Sequence, residues 1–288
     1  MKFTKMQGCG NDYVYVNSIK EAIEDGSEIA IKVSDRHFGI GSDGLILIKS
    51  SDKADFYMDM YNADGSKSGM CGNGIRCVGK YVYDYGLTSK TSLAIETGSG
   101  IKYLELELGT TKTLLGNLKE ENKVVRVTVD MGSPITQANL IPVKASEDVV
   151  IGKEITVGSK VFSITCVSMG NPHAIVFVED TKSIEIEKIG PLFEHHEIFP
   201  ERTNTEFIHV RNRNEIDMRV WERGSGETLA CGTGACASVY ACILNGLTED
   251  TVTVHLLGGD LVIRYDRDKH TIFMTGEATT VFDGEINL

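Results

Sequence analysis

The chain carries little positive charge for its length. Its 288 residues include 29 Lys and Arg against 41 Asp and Glu, which leaves a formal net charge of −12. Nucleic acids and anionic membranes are bound through clustered Lys and Arg side chains. The composition therefore argues against a nucleic-acid partner and against docking on a membrane surface.

Long apolar segments are also missing. Residues 1–11 contain no apolar run of the kind that a secretory signal needs. One uncharged stretch, residues 228–248, has a helical pattern only over residues 235–244, whereas crossing a bilayer takes about 20 apolar residues. We therefore expect a cytoplasmic protein without a membrane span.

The seven cysteines form no CxxC pair. An odd number of cysteines without a signal peptide is typical of reduced thiols rather than of a disulfide framework. Cys71 and Cys77 are six residues apart, a spacing that fits no common zinc motif, so no metal site is predicted. The chain shows no glycine-rich phosphate loop in a βαβ context and no convincing Schiff-base lysine, so no cofactor is predicted either.

Two short segments are variants of one phrase. Residues 70–74 read MCGNG and residues 230–234 read ACGTG, so that Cys71 and Cys231 lie 160 residues apart. The same offset relates residues 10–11 to 170–171, Tyr61 to Trp221, residues 86–87 to 246–247, and Gly98 to Gly258. A set of matches without a gap predicts a duplicated domain that has since diverged.

Strand-like patterns outnumber helical ones. Short β-branched, aromatic or alternating runs recur along the whole chain. Helical periodicity is found in four segments: residues 27–36, 74–85, 184–194 and 235–244. We predict an α+β fold of two structurally similar domains, each a mostly antiparallel β-sheet wrapped around a central helix.

The domain boundary is predicted from the repeat. Residues 1–126 form the predicted N-terminal domain, which residues 276–288 could rejoin, and residues 127–275 form the predicted C-terminal domain. The polar segment of residues 109–123 is the best linker candidate between them.

The two central helices differ in charge. Arg76, Lys80 and Asp84 recur every four residues along the first helix, which predicts a solvent-exposed stripe. The helix over residues 235–244 carries no charge, which predicts that strands cover it on all sides.

Cys71 and Cys231 each stand where a helix is predicted to begin. The thiolate is the reactive form of cysteine, and a helix N-terminus favours it. Residues 72–73 and 232–233 can turn backbone N–H groups toward a bound anion. Two thiols on opposite faces of one carbon can invert it without a cofactor, because one thiolate removes a proton and the other thiol supplies one. A Cys71–Cys231 disulfide would be an oxidised, inactive form.

Two longer motifs resemble those of a known family. Residues 70–77 (MCGNGIRC) resemble the first active-site motif of diaminopimelate epimerases, and residues 222–234 (ERGSGETLACGTG) resemble the second. Residues 8–12, 61–65 and 170–173 are similar to further signatures of that family and follow in the family order. The full set is more specific than the two Cys-Gly-x-Gly turns, which proline racemase-like proteins share.

The resemblance implies a cofactor-independent epimerase that interconverts LL- and meso-2,6-diaminopimelate in lysine and peptidoglycan synthesis. It implies a small-molecule substrate in a cleft between the two domains, with Cys71 and Cys231 as acid and base. The substrate-binding residues that it implies are Asn11, Asn62, Gly72, Asn73, Asn171, Asn204, Glu222, Arg223, Gly232 and Thr233. Amides bond both substrate charges, Arg223 can clamp a carboxylate and Glu222 can take an ammonium. The sequence leaves the oligomeric state open, with a homodimer as one alternative.

Position 44 departs from the family pattern, because many members carry Gln where this chain has Gly44. One substrate contact of the family is therefore in question. Other interpretations stay open at this point. A proline or hydroxyproline racemase uses the same paired thiols but leaves Glu222, Arg223 and the Asn residues unexplained. A non-catalytic amino-acid-binding relative or a redox sensor that uses the two cysteines would show no proton exchange.

Overall fold

The computed structural model describes residues 1–112 and 119–287. The chain divides into two compact units: unit 1 is Met1–Asp130 with Thr275–Leu288, and unit 2 is Met131–Met274. None of the helices in the described part combines the length and the apolar character that a bilayer span requires.

The elements alternate between strands and a few helices. The first half of the chain contains β1 (Lys2–Gly8), β2 (Asn11–Asn17), α1 (Gly26–Ser34), β3 (Gly44–Lys49), β4 (Phe56–Asn62), β5 (Lys67–Ser68), α2 (Gly72–Asp84), β6 (Ser92–Thr97), β7 (Gly100–Lys112) and β8 (Lys119–Gly132). The second half contains β9 (Lys153–Val157), β10 (Lys160–Ser168), β11 (Pro172–Phe177), a 3-10 helix (Thr181–Ser183), α3 (Ile186–Glu194), β12 (Asn204–Asn212), β13 (Glu215–Glu222), β14 (Gly226–Thr228), α4 (Gly232–Leu244), β15 (Thr251–Leu256), β16 (Gly259–Asp266), β17 (Thr271–Gly276) and β18 (Thr279–Glu285).

Most strand pairs in each unit are antiparallel. In unit 1, β1 pairs antiparallel with β18 and with β2, while β2–β3 and β4–β6 are parallel. In unit 2 the parallel pairs are β11–β12 and β13–β15, at the matching places. The mostly antiparallel character predicted from the sequence is therefore observed in both units.

Strand register repeats between the units. Tyr15 of β2 pairs with Ile46 of β3, and 160 residues later Ile175 of β11 pairs with Glu206 of β12. The helices α2 and α4 begin and end at the same offset. Each unit thus brings a parallel strand pair and one helix into the same local arrangement.

The offset changes in the hairpin that follows each of these helices. Gly100 opens β7 and Gly259 opens β16, and these equivalent positions lie 159 residues apart. The ungapped match of Gly98 to Gly258 is therefore wrong, because unit 2 is one residue shorter between its helix and this hairpin.

The predicted charged stripe on α2 is buried, so the expectation of solvent exposure is wrong. Arg76 is 0% exposed, and its Nε donates to the carbonyl of Glu277 at 3.2 Å. Lys80 Nζ lies 2.7 Å from Asp84 Oδ2 and donates to the carbonyl of Val124 at 2.7 Å. β8 and the C-terminal segment cover this side of the helix, and carbonyl and carboxylate oxygens satisfy its cations.

The uncharged helix α4 is buried, as predicted. Its residues from Ala235 to Cys242 are all buried, and it contacts β10, β11, β12 and β16. An α-helix without a polar face is stable only when other elements cover it.

The predicted linker lies partly in strands. Thr111 of β7 pairs with Glu120 of β8, so both ends of the 109–123 segment belong to one antiparallel ladder within unit 1. Residues 113–118 of that segment lie outside the described residues. The assignment of residues 109–123 as an interdomain linker is therefore wrong, because the described ends of the segment pair with each other inside unit 1.

Candidate active site

Cys71 caps the N-terminus of α2. Its backbone is extended, with φ −133° and ψ 119°, and its Sγ accepts a hydrogen bond from Gly74 N at 3.3 Å. The chain can approach closely here because a Cβ at Gly74 would already lie 2.9 Å from Ile46 Cδ1. The half-buried thiol therefore lies beside first-turn N–H groups that have no acceptor within the helix.

Asn11 lies against the Cys71 thiol. The Sγ donates to Asn11 Oδ1 at 3.2 Å, and Asn11 Nδ2 donates to Asp43 Oδ2 at 2.8 Å. Because a carboxylate only accepts, Asp43 holds the amide with its oxygen toward the thiol. Arg36 Nη2 in turn donates to Asp43 Oδ1 at 2.9 Å. Sequence analysis missed this function of Asp43, and its place just before β3 was the available signal.

Cys231 caps α4 in the same way. Its backbone is extended, with φ −121° and ψ 111°, and its Sγ accepts from Gly234 N at 3.4 Å. The hydroxyl of Thr233 lies 3.5 Å from the same sulfur. Cys231 is 5% exposed and is thus more buried than its counterpart in unit 1.

Two carboxylates lie near Cys231. Burial, followed by the charges of Glu222 and Glu206, raises the pKa of the Cys231 thiol well above its ordinary value. Burial also raises the pKa of the Glu222 carboxyl, which accepts a hydrogen bond from Thr228 Oγ1 at 2.5 Å. A cation bound beside these carboxylates would offset their charge and favour the Cys231 thiolate.

His173 connects Asn171 to Glu206. Its Nδ1 lies 2.7 Å from Glu206 Oε1 and its Nε2 lies 3.1 Å from Asn171 Oδ1. His173 therefore bridges the amide of Asn171 and the carboxylate of Glu206. The amide oxygen of Asn171 is used by this contact, which leaves its Nδ2 as a donor. Sequence analysis missed Glu206, which belongs to no recognisable motif.

The side chain of Asn204 forms hydrogen bonds with the backbone of unit 2. Its Oδ1 accepts from Arg223 N at 2.9 Å, and its Nδ2 donates to the carbonyl of Pro172 at 2.8 Å. Arg223 also donates from Nη1 to the carbonyl of Glu201 at 3.0 Å. Asn204 thus joins the backbone segments that carry Arg223 and His173, and direct contact between Asn204 and a substrate stays a prediction.

The other predicted binding residues lie at the ends of elements. Asn62 ends β4 and donates from Nδ2 to Ser66 Oγ at 3.0 Å. Asn73 is 3% exposed, and its Oδ1 has no hydrogen-bond partner among the described residues. Gly72 and Gly232 begin α2 and α4, where free backbone N–H groups can bind an anion.

Position 44 has no room for a side chain. A Cβ at Gly44 would lie 2.1 Å from the carbonyl oxygen of Tyr61 and 2.7 Å from Tyr13 Cε1. The Gln that many family members carry could enter only if the backbone of β4 shifted. The backbone around position 44 therefore requires glycine in this protein.

Several solved structures share the duplicated α+β fold. They include a probable proline racemase from Agrobacterium radiobacter K84 (TM-score 0.68, 12% identity, covering 100% of this chain and 93% of that chain). A hydroxyproline epimerase from Agrobacterium vitis (TM-score 0.66, 12% identity, 99% and 90%) and a PhzF-family protein from Bacillus anthracis (TM-score 0.66, 17% identity, 100% and 99%) are also similar. At such identities the likeness shows the fold alone, and the predicted fold class is confirmed.

Sequence relatives identify the family. The family model described as diaminopimelate epimerase matches residues 3–136 and 165–281. Diaminopimelate epimerases of Agathobacter rectalis (60% identity, 100% of both chains) and Acetivibrio thermocellus (52% identity, 100% of this chain and 99% of the relative) match along their full length. The chain belongs to the diaminopimelate epimerase family, a family of isomerases. The resemblance predicted from the motifs is confirmed.

Proposed function

We propose that the protein is a cofactor-independent epimerase that interconverts LL- and meso-2,6-diaminopimelate. The observation that carries the proposal is the matched pair of capping thiols. Cys71 on α2 and Cys231 on α4 each accept the N–H of the glycine three residues further on. Relatives at 52% and 60% identity over the full length bear the name diaminopimelate epimerase, which supports the same activity here.

In this proposal residues of both domains bind one substrate molecule. The domains are residues 1–126, with 276–288, and residues 127–275. Arg223 clamps a substrate carboxylate, and Glu222 takes an ammonium group. The remaining polar contacts come from the amides and helix starts named above: Asn11, Asn62, Gly72, Asn73, Asn171, Asn204, Gly232 and Thr233.

The chemical step needs only the two cysteines as proton carriers. One thiolate takes the α-proton, so that an S–H bond forms as the C–H bond breaks. The other thiol gives its proton to the opposite face of the carbon and is left as the thiolate. No proton is consumed, and the two roles exchange for the reverse reaction. N–H groups at the starts of α2 and α4 stabilise charge that develops on the adjacent carboxylate.

Substrate binding prepares Cys231 for this exchange. Burial and the carboxylates of Glu222 and Glu206 raise the pKa of the Cys231 thiol, so it enters as a proton donor. An ammonium group of the substrate beside Glu222 offsets part of that negative charge. The thiolate that remains after proton donation is then less costly than in the free protein.

Proton exchange followed by NMR tests the proposal. The reduced protein is incubated with LL-diaminopimelate in deuterium oxide, without added cofactor. We expect deuterium at the α-carbon and meso product with the wild type, and loss of both with Cys71→Ala and with Cys231→Ala. Cys242→Ala, which removes a buried thiol near the C-terminal end of α4, is the matched control and should keep the exchange.

Two outcomes would overturn the proposal. Exchange with proline but not with diaminopimelate would favour a proline racemase. Absence of exchange with both, under reducing conditions, would leave a binding or redox protein.

The same proposal includes a place in lysine and peptidoglycan precursor synthesis in the cytoplasm. A homodimer stays a prediction, which light scattering would test against the chain mass of 31.5 kDa.

A further inference from the structure

Glu222 and Arg223 stand at the turn between β13 and β14. The side chain of Glu194, the last residue of α3, contacts this turn. Its side chain is only 6% exposed although it carries a carboxylate. A buried carboxylate is tolerated when hydrogen bonds and a countercharge satisfy it, so its partners identify its function.

Both oxygens of Glu194 accept hydrogen bonds. Oε1 accepts from Gly224 N at 2.9 Å and from Arg202 Nη1 at 3.0 Å, and Oε2 accepts from Trp221 Nε1 at 2.7 Å. Two of these donors, Gly224 and Trp221, flank the Glu222–Arg223 pair in sequence. Arg202, which supplies the countercharge, has φ +61°, a left-handed conformation that side chains disfavour.

The same helix also packs against the indole ring. A Cβ at Gly190 would lie 2.3 Å from Trp221 Cδ2, so α3 approaches the ring as closely as glycine allows. Glu194 follows Gly190 by one helical turn and reaches the indole N–H from the same face. Trp221 is therefore fixed both by packing and by a charge-assisted hydrogen bond.

A second buried side chain fixes the next part of the turn. Asn204 accepts the hydrogen bond of Arg223 N at 2.9 Å, and Ser225 N closes the turn by donating to the carbonyl of Glu222. Two successive amides, those of Arg223 and Gly224, thus end on side chains from other elements. Asn204 and Glu194 therefore fix the backbone of the turn, and the Glu222 carboxylate lies near Cys231.

We propose that Glu194 is a positioning residue that sets the Glu222–Arg223 turn for substrate binding. The inference rests on the proposed function, because it assigns those two side chains to the substrate. Glu194 touches no reacting atom and acts through the backbone of the turn and through Trp221. Its loss should therefore weaken substrate binding more than it slows the proton transfer.

Glu194→Gln is the test, with Glu187→Gln on the exposed side of the same helix as the matched control. A glutamine places N–H groups against three donors, so at least one contact is lost. We expect KM for diaminopimelate to rise about 10-fold to 100-fold, with a smaller change in kcat. Trp221 is the single tryptophan, so its emission should move to longer wavelength in the free protein. Glu187→Gln should change neither quantity.

A double-mutant cycle separates positioning from a general structural effect. If Glu194 acts through the turn, its substitution should cost little more in an Arg223→Ala background. Equal costs in both backgrounds, or an unchanged KM in Glu194→Gln, would overturn the proposal. If Glu194→Gln fails to fold, Trp221→Phe keeps an aromatic ring at this position but removes the indole N–H, and should raise KM severalfold.

The free-protein measurements separate this proposal from the proposed function. Lack of exchange in the wild type would refute the epimerase. In Glu194→Gln, the Trp221 emission and the hydrogen exchange of the Gly224 amide could both stay unchanged. That result would refute the positioning role of Glu194, whatever the substrate is.

Discussion

Glu206 and Ile46 occupy matching positions in the two units, and each faces the glycine three residues after a capping cysteine. A Cβ at Gly234 would lie 2.5 Å from Glu206 Oε1, and one at Gly74 would lie 2.9 Å from Ile46 Cδ1. One helix start thus rests on a buried carboxylate and the other on an aliphatic side chain. The duplication has kept the geometry of the thiols and changed their electrostatic surroundings.

Substitution of Glu206 by Gln should make Cys231 easier to ionise. The charges that face Cys231 are Glu222 and Glu206, with His173 paired to the latter, and the carboxylates raise the pKa of the thiol. Removing one negative charge lowers that pKa, so alkylation of Cys231 by iodoacetamide should reach its plateau at lower pH. Peptide mass spectrometry measures the rate at each cysteine separately.

Cys71 serves as the internal control in the same samples. Ile46 stands where unit 2 has the carboxylate, so the pH profile of Cys71 should not respond to Glu206→Gln. Equal shifts at Cys71 and Cys231 would show a general change in the protein, and no shift at Cys231 would contradict the prediction.

The two cysteine caps could be predicted because their signal is local. A cysteine followed by Gly-x-Gly and an apolar run determines a helix start within a few residues, and both caps lie there in the structure. The duplication was visible for the same reason, since turns and caps use few residue types. The change of offset in the later hairpin could not be predicted, because the glycines at positions 98 and 258 match by coincidence.

The supports of the site could not be predicted, because they depend on long-range packing. Glu194 and Glu206 are single acidic residues in segments without a motif, and their burial follows only from elements that fold over them. The predicted solvent exposure of the charged stripe on α2 was wrong for a related reason. Helical spacing identifies a polar face, but carbonyls such as that of Val124, from β8, made this face an interior one.

Asp43→Asn should impair the enzyme through Asn11. Asp43 accepts from Asn11 Nδ2 and so keeps the amide oxygen toward the Cys71 sulfur. An asparagine at position 43 can donate as well as accept, which allows the Asn11 amide to turn over. We expect kcat/KM for diaminopimelate to fall about 10-fold, as measured by α-proton exchange.

The control for this substitution is Asp52→Asn, which changes the same charge at an exposed position. It should retain wild-type activity. If Asp43→Asn has the kcat/KM of the wild type, Asp43 does not orient Asn11 in the working enzyme.

Gly44→Ala should destabilise the protein by steric conflict. The added Cβ would meet the carbonyl of Tyr61 in the β3–β4 ladder, and overpacking of this kind costs about 3 kcal/mol. Gly86→Ala is the comparison, because Gly86 has φ +70° and open space around it. The left-handed conformation alone should cost about 1 kcal/mol there. Urea unfolding followed by circular dichroism measures both, and equal losses would contradict the steric explanation.

Cys166 should make the folded protein sensitive to alkaline pH. Burial, followed by the charge of Glu206, raises the pKa of its thiol from 9.0 to about 12. Between these values the unfolded chain has lost the proton that the folded protein keeps, so stability falls as pH rises, by about 1.4 kcal/mol per pH unit for one such thiol.

Cys166→Ala removes this contribution and should flatten the dependence of the unfolding free energy on pH above about 9. Val167→Ala, at the next buried position of β10, should lower stability by a similar amount at every pH and leave the slope unchanged. Parallel curves for Cys166→Ala and the wild type would mean that the buried thiol is not the group that titrates.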